Sequence, residues 1–296
     1  MNRSGDRNAH VIDVVDNSRK PEEERSGKDK VFDLFIKKSE NLSKTVKKRI
    51  SKRFREEDCF VIVYHGSGGE RRPESFDFDK ARESNDFGRA MYFGLTVKMA
   101  RDWASLRKNG VVNWYLFKAA DSYRDESIQV KILNDPLEWI NTILSIHDRR
   151  YSGKADIIIG DTMDARTGTV IEKYRRLADS MGIMMSELDD STKLRMVSEL
   201  NPEHFGQQIA FRNQQSLKHV EFMGSIGVDE MDDSWMTDPS EVAVRVADLL
   251  MEQDGLTQNE ALVSFMKSDT FRRLMKDGDL TELPPGRLLE MYRGEA

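Results

Sequence analysis

The chain has 296 residues, one cysteine and a formal net charge of −6, with 33% charged and 38% hydrophobic residues. This length accommodates two modest domains and terminal segments, and the high charged fraction predicts that part of the chain is solvated rather than packed. A single cysteine, Cys59, excludes an internal disulfide, and no apolar run approaches the roughly 20 residues of a membrane span. We therefore expect a cytoplasmic protein that does not enter a membrane.

The N-terminal fifth of the chain differs in charge from the rest. Residues 1–57 carry 16 Lys/Arg and 11 Asp/Glu, which leaves 30 and 41 for the remainder. Residues 1–30 are polar without a sustained period and are predicted to be a disordered tail. Residues 31–57 have helical spacing of apolar residues, and nine basic residues with one acid lie within residues 37–55. This basic amphipathic helix predicts a nucleic acid or another anionic surface as partner, and packing on the following domain is the alternative.

Two short β-type runs, residues 60–64 and 91–95, lie beside the loops that carry the candidate site. The first predicts a strand that ends at the glycine-rich turn HGSGG, and the second follows the loop DFGRA. A helix is predicted after the second run, with Ala100, Trp103 and Ala104 on one face. A histidine at a strand end and a tyrosine in the next strand therefore stand beside glycine-rich backbone.

These residue types suit recognition of a flat, partly charged ring attached to a ribose. Glycine backbone can approach a ligand amide closely, and the face of Tyr92 can stack on a cationic ring. The imidazole of His65 can hydrogen-bond a ribose hydroxyl. From the residues alone, His65 could instead only hydrogen-bond backbone, and core packing is the commoner role for a tyrosine in the position of Tyr92.

The remaining pattern predicts an α+β domain over residues 58–226. Further strands are expected at 110–119, 127–133, 155–161 and 208–212, with helices at 136–146, 170–181 and 214–219. Residues 238–296 predict a small all-helical module, with capping boxes that begin at Asp238 and Thr257. Five scattered histidines and one cysteine show no metal-ligand spacing, so no metal site is expected.

Several motifs resemble those of a bacterial family of uncharacterised domains similar to ADP-ribosyltransferases. The motifs VYHGS, DFGRAMYF, MARDWA, ADIIIG and QIAF…QQSLKHVEF occur in the order typical of that family. The resemblance implies a split, mixed or antiparallel β-sheet core with flanking helices. It also implies NAD as substrate, a macromolecular acceptor that is protein or nucleic acid, and a toxin, toxin–antitoxin or phage-defence role.

The C-terminal helical module more loosely resembles a short bacterial family that is fused to, or encoded beside, the transferase-like one. This second resemblance implies a regulatory or partner-binding role. A helical cap on the preceding domain is the alternative.

The first resemblance also assigns site residues. The catalytic residues that it implies are His65, Tyr92 and Gln208. The NAD-binding residues that it implies are His65, Gly66, Ser67, Phe87, Gly88, Tyr92 and Asp164. Two departures from the family pattern are Ala90, which replaces a second glycine, and the loop IIIGDTMDA, which lacks the usual proline.

Gln208 is the assignment with the largest chemical consequence. Most ADP-ribosyltransferases carry a glutamate there, whose charge favours the cationic ribose formed as nicotinamide leaves. Gln208 can hydrogen-bond ribose hydroxyls but carries no charge. Asp161, Asp164 and Glu203 are the carboxylates expected to serve instead. A non-catalytic module that binds NAD, ADP-ribose or RNA, and an NAD hydrolase, are therefore the alternatives to a transferase.

Overall fold

The computed structural model describes residues 60–163, 167–202, 206–232 and 234–295. The predicted tail and basic helix of residues 1–57 lie outside these ranges. Over the described residues the protein is α+β, with one seven-stranded mixed sheet and ten α-helices. This agrees with the fold class expected from the sequence.

The seven strands of the sheet are β1 (Phe60–Ser67), β2 (Met91–Gly94), β3 (Val111–Lys118), β4 (Val130–Leu133), β5 (Ile157–Asp161), β6 (Gln207–Phe211) and β7 (Val220–Gly227). Their order across the sheet is β4-β5-β6-β2-β1-β3-β7. All neighbouring strands are antiparallel except β4 and β5, which are parallel.

Helices flank both faces of the sheet, the long ones on one face and two short ones on the other. They are α1 (Val97–Ser105), α2 (Ala119–Arg124), α3 (Pro136–His147), α4 (Thr167–Met181), α5 (Asp190–Leu200), α6 (Gln214–Leu217), α7 (Pro239–Asp254), α8 (Gln258–Met266), α9 (Asp269–Lys276) and α10 (Pro285–Arg293). Thr257 forms the predicted capping box with Glu260. The predicted box at Asp238 is different, because its carboxylate accepts from the amide of Ser240 and does not pair with Glu241.

The strand β1 is longer than the sequence predicts. Its expected end before the HGSGG turn is wrong, because the strand continues to Ser67 and pairs with β3 along its whole length. Gly66 lies inside this ladder, opposite Val112. A Cβ atom on Gly66 would lie 2.0 Å from the carbonyl oxygen of Ala100. Glycine is therefore required here because the backbone of α1 packs directly on the strand.

The side of the sheet that carries the long helices holds two separate hydrophobic clusters. One packs α1 and the four C-terminal helices on β1, β3 and β7, with Tyr64 and Trp114 among its residues. The other packs α3, α4 and α5 beside β2, β5 and β6, with Ile158 and Ala210 among its residues. The boundary between the two clusters coincides with the boundary between β1 and β2.

The four C-terminal helices share their core with the sheet. The indole nitrogen of Trp114 donates to the carbonyl oxygen of Met266 at 3.1 Å, and its ring lies 5.8 Å from that of Phe271. Asp238, which caps α7, also accepts from the hydroxyl of Tyr64 at 3.1 Å. These helices therefore lie as a cap on β1, β3 and β7.

A candidate ligand-binding cleft between β1 and β2

The sheet opens between β1 and β2. These two strands are joined by a single register pair, Tyr64 with Gly94, whereas β2 and β6 are joined by four. On one side of that pair the strands diverge, and a cleft with a cavity volume of about 160 Å³ lies there.

The three side chains that the motif resemblance names as catalytic meet in this cleft. His65 comes from β1, Tyr92 from β2 and Gln208 from β6, and all three line it. Gly66 also lines the cleft. The strand order β6-β2-β1 brings these residues together although Gln208 follows His65 by more than 140 positions in the sequence.

His65 is held as a neutral imidazole. Its Nδ1 atom lies 2.7 Å from the carbonyl oxygen of Tyr92, and a carbonyl can only accept, so Nδ1 carries the proton. Burial lowers the pKa of His65 to about 4, with smaller contributions from Arg71 and Arg107. At neutral pH the unprotonated Nε2 atom is therefore the acceptor that His65 can offer to a ligand hydroxyl.

The hydroxyl of Tyr92 is occupied by the loop that precedes it. It donates to the carbonyl oxygen of Gly88 at 2.7 Å and accepts from the amide of Phe87 at 3.0 Å. Burial raises the pKa of Tyr92 well above its usual range, so the phenol is neutral. The ring surface is consequently the part of Tyr92 that is suited to contact a ligand.

Gln208 is paired with a carboxylate that the sequence analysis did not assign to the site. Its Nε2 atom donates to Oδ2 of Asp86 at 2.6 Å, and the amide of Met163 donates to the same oxygen at 3.2 Å. Asp86 also lines the cleft. Burial raises the pKa of Asp86 to about 6, although the two hydrogen bonds limit the rise.

The sequence carried only a weak signal for Asp86. It directly precedes Phe87 and Gly88 in the DFGRA loop, so an acid beside two assigned residues was the available cue. Its partner Gln208 lies 122 residues away, and that pairing exists only in the folded chain.

The resemblance implies four other residues for NAD binding, and the structure describes three of them. Ser67 is buried and donates to the carbonyl oxygen of Gly69, while Phe87 is fully buried in the core. Gly88 adopts a φ of 78°, which favours glycine, and its carbonyl holds Tyr92. None of Ser67, Phe87 and Gly88 lines the cleft itself. Asp164 lies outside the described residues.

Two of the carboxylates expected to replace a catalytic glutamate have no described position in the cleft. Glu203 lies outside the described residues, as Asp164 does. Asp161 ends β5 opposite Gln207, and its carbonyl oxygen accepts from the indole of Trp139 at 3.0 Å. Asp86 is the acid that contacts Gln208 in the described structure.

The opposite wall comes from α1 and the residues after it, which the sequence analysis did not assign to the site. Met99, Ala100, Trp103 and Arg107 line the cleft. Ala100 is buried against the sheet, whereas Trp103 is 43% exposed. The spacing of four between Trp103 and Arg107 is the signal that could have indicated a shared face.

Two further features bear on the kind of site. Among the described residues, no group of three or more His, Cys, Asp or Glu side chains is placed to hold a metal ion. Within the same ranges, no helix has both the length and the apolar character that crossing a bilayer requires.

A family model described as a protein of unknown function, DUF3990, matches residues 61–222. The match includes His65, Asp86, Tyr92 and Gln208, and it covers more than half of the chain. No protein of curated function and no solved structure matches the sequence. With its cleft inside the matched region, the chain belongs to the DUF3990 family of proteins of unknown function.

Proposed function

We propose that this protein is an NAD-dependent mono-ADP-ribosyltransferase that modifies a macromolecule. The observation that carries the proposal is the convergence of His65, Tyr92 and Gln208 on one cleft from three neighbouring strands. The motif resemblance assigned these same residues to the nicotinamide ribose of NAD. The divergence of β1 and β2 supports the finer proposal that the sheet is of the ADP-ribosyltransferase-like type.

The chemistry of the lining suits the parts of NAD. The Nε2 atom of His65 can accept from a ribose hydroxyl, and Gln208 can bind another. The ring of Tyr92 offers a surface for the nicotinamide. On the opposite wall, the exposed indole of Trp103 and the guanidinium of Arg107 suit an aromatic base and a pyrophosphate.

The acceptor is a macromolecule, protein or nucleic acid. The run of nine basic residues within residues 37–55 is the reason to include nucleic acid. A bacterial toxin, toxin–antitoxin or phage-defence role in the cytoplasm is the setting that the motif resemblance implies.

A non-catalytic module that binds NAD or ADP-ribose is the second candidate. The neutral amide of Gln208 favours it, because an amide cannot stabilise the positive charge that develops on the ribose. NAD hydrolysis, with water as acceptor, is a variant of the enzymatic proposal.

The test is nicotinamide release from NAD by the purified full chain, alone and with cell lysate, beside His65→Ala. His219→Ala is the matched control, because His219 pairs with Asp125 and does not line the cleft. Lysate-dependent release that is lost in His65→Ala and retained in His219→Ala would support a transferase. Release without lysate would indicate a hydrolase. Saturable NAD binding without release would favour the binding module, and no binding would refute both candidates.

A further inference from the structure

We propose that Asp86 is a catalytic carboxylate that supplies, to the cationic ribose of the substrate, the negative charge that Gln208 lacks. This inference rests on the proposed function. The negative charge is thus assigned to a residue of the loop that precedes β2. The family resemblance placed the catalytic side chain on β6, at Gln208.

The position of Asp86 supports the assignment. Its Oδ2 atom lies 2.6 Å from Nε2 of Gln208, and both side chains line the cleft. A ligand group that contacts Gln208 therefore stands beside a carboxylate. Because Gln208 donates to Asp86, its amide oxygen is left to face a ligand hydroxyl.

Among the residues that the structure describes, no cationic side chain neutralises the charge on Asp86. Within the described part of the chain Asp86 makes no ion pair, and burial raises its pKa while the hydrogen bonds from Met163 and Gln208 limit the rise. Buried charges in proteins are ordinarily paired, because leaving water is costly for an ion. A partly buried carboxylate that opens on a cleft is thus suited to a cation that arrives with the ligand.

The loop that carries Asp86 is held in place from both sides. The amide of Met163 donates to Asp86, and Phe87, which follows Asp86 in the chain, is fully buried. The hydroxyl of Tyr92 bridges the amide of Phe87 and the carbonyl oxygen of Gly88. A charge fixed in this way needs little reorganisation when positive charge develops beside it, which is the condition for effective electrostatic catalysis.

The proposed reaction needs only NAD and the acceptor, because every bond, charge and proton is accounted for. The bond between ribose C1′ and the nicotinamide nitrogen breaks, and its electron pair leaves with nicotinamide, which becomes neutral. The positive charge passes to the ribose, beside Asp86. A lone pair of the acceptor then forms the new bond to C1′, and the acceptor releases one proton to solvent. Asp86 forms no covalent bond and stays ionised throughout.

Asp86→Asn in the full chain tests the inference, with Asp279→Asn as the control for the same change in net charge. Asp279 is exposed near the C-terminal helices and does not line the cleft. Asparagine matches aspartate in shape, and its amide oxygen can accept from Gln208 and from the amide of Met163 as Oδ2 of Asp86 does. Thermal melts of each variant check folding.

We expect Asp86→Asn to lower kcat for nicotinamide release about 100-fold, with a smaller change in KM. We also expect the preference for NAD⁺ over NADH, measured as a ratio of Kd values, to fall about tenfold, because only the oxidised ring is cationic. The double variant Asp86→Asn with Gln208→Glu returns a carboxylate to the pair and should recover at least tenfold in kcat. Asp279→Asn should match the wild type in all three measurements.

A pH profile of the unmodified chain gives a readout that does not depend on any variant. Release should rise as pH passes through about 6, where Asp86 ionises. The other groups on the cleft with shifted pKa values are His65, with a pKa of about 4, and Tyr64 and Tyr92, whose pKa values lie well above the usual range; the guanidinium of Arg107 also lines the cleft. The limb near pH 6 should be absent in Asp86→Asn.

The outcomes separate this inference from the proposed function. Release by Asp86→Asn at the wild-type rate, with His65→Ala inactive, would overturn the role of Asp86 and leave the transferase standing. An unchanged ratio of NAD⁺ to NADH affinity would also overturn it. A wild-type chain that neither binds nor cleaves NAD would refute the proposed function, and the role of Asp86 with it.

Discussion

The Nδ1 atom of His65 lies 2.7 Å from the carbonyl oxygen of Tyr92, so a side-chain hydrogen bond joins β1 to β2 where their backbones part. This bond gives His65 two separable functions. Nδ1 donates to β2, and the unprotonated Nε2 is left as an acceptor.

His65→Asn and His65→Gln should separate these two functions. The asparagine amide nitrogen takes the place of Nδ1, so we expect this variant to fold normally and to bind NAD about tenfold more weakly. The glutamine amide reaches the position of Nε2, so we expect it to lose more stability and less affinity. Calorimetric titration measures the affinity for NAD, and thermal melts measure the stability. Equal affinity for NAD in His65→Asn and the wild type would contradict the role of Nε2.

Asp86 should destabilise the fold at high pH. Its pKa is raised from 3.8 to about 6, so the native state holds the proton more tightly than the unfolded chain does. The resulting stabilisation is fully present below pH 4 and is lost as pH rises through 6. Relative to the wild type, Asp86→Asn should therefore gain up to about 3 kcal/mol in free energy of unfolding between pH 4 and pH 8. Urea unfolding at both pH values measures this gain, and a constant difference would contradict it.

Gly66→Ala should disrupt the fold, whereas Gly69→Ala should be tolerated. A Cβ on Gly66 would lie 2.0 Å from the carbonyl oxygen of Ala100 and 2.7 Å from the amide nitrogen of Ala104, both backbone atoms. Nothing lies within 4 Å of a Cβ on Gly69. We expect a loss of at least about 3 kcal/mol for Gly66→Ala and less than about 0.5 kcal/mol for Gly69→Ala. Similar midpoints of urea unfolding for the two variants would show that α1 can move away from β1.

Asp238 should matter more for stability than an ordinary helix cap. Its carboxylate caps α7 and also accepts from the hydroxyl of Tyr64 at 3.1 Å and from the amide of Val97, the first residue of α1, at 2.9 Å. Asp135 offers the matched control, since it also precedes a proline and caps only its own helix, α3.

We expect Asp135→Ala to lower the free energy of unfolding by about 1 kcal/mol and Asp238→Ala by about 3 kcal/mol. The larger loss arises because two further donors, one of them on the buried Tyr64, lose their acceptor. Since α1 forms a wall of the cleft, NAD affinity should fall in Asp238→Ala alone. Equal losses of stability in the two variants would show that the contacts of Asp238 with β1 and α1 contribute nothing.

Local features of the chain were predictable because their causes are local. The alternation and helical spacing of apolar residues predicted an α+β protein and the approximate positions of its main strands and helices. The caps at Asp135 and Thr257 also follow from short-range patterns. Motif order placed His65, Tyr92 and Gln208 in one candidate site, and the three residues line one cleft in the structure.

The sequence by itself determined the fold class and the position of most strands and helices, since periodicity and capping depend on neighbours a few residues apart. Tertiary structure decided that β1 continues through Gly66, because β3 supplies a partner for the whole strand. It also decided the contact between Asp86 and Gln208, 122 residues apart, and that between Tyr64 and Asp238, 174 residues apart. Such pairs arise where strand order and helix packing bring distant segments together, and no local pattern of residues encodes that meeting.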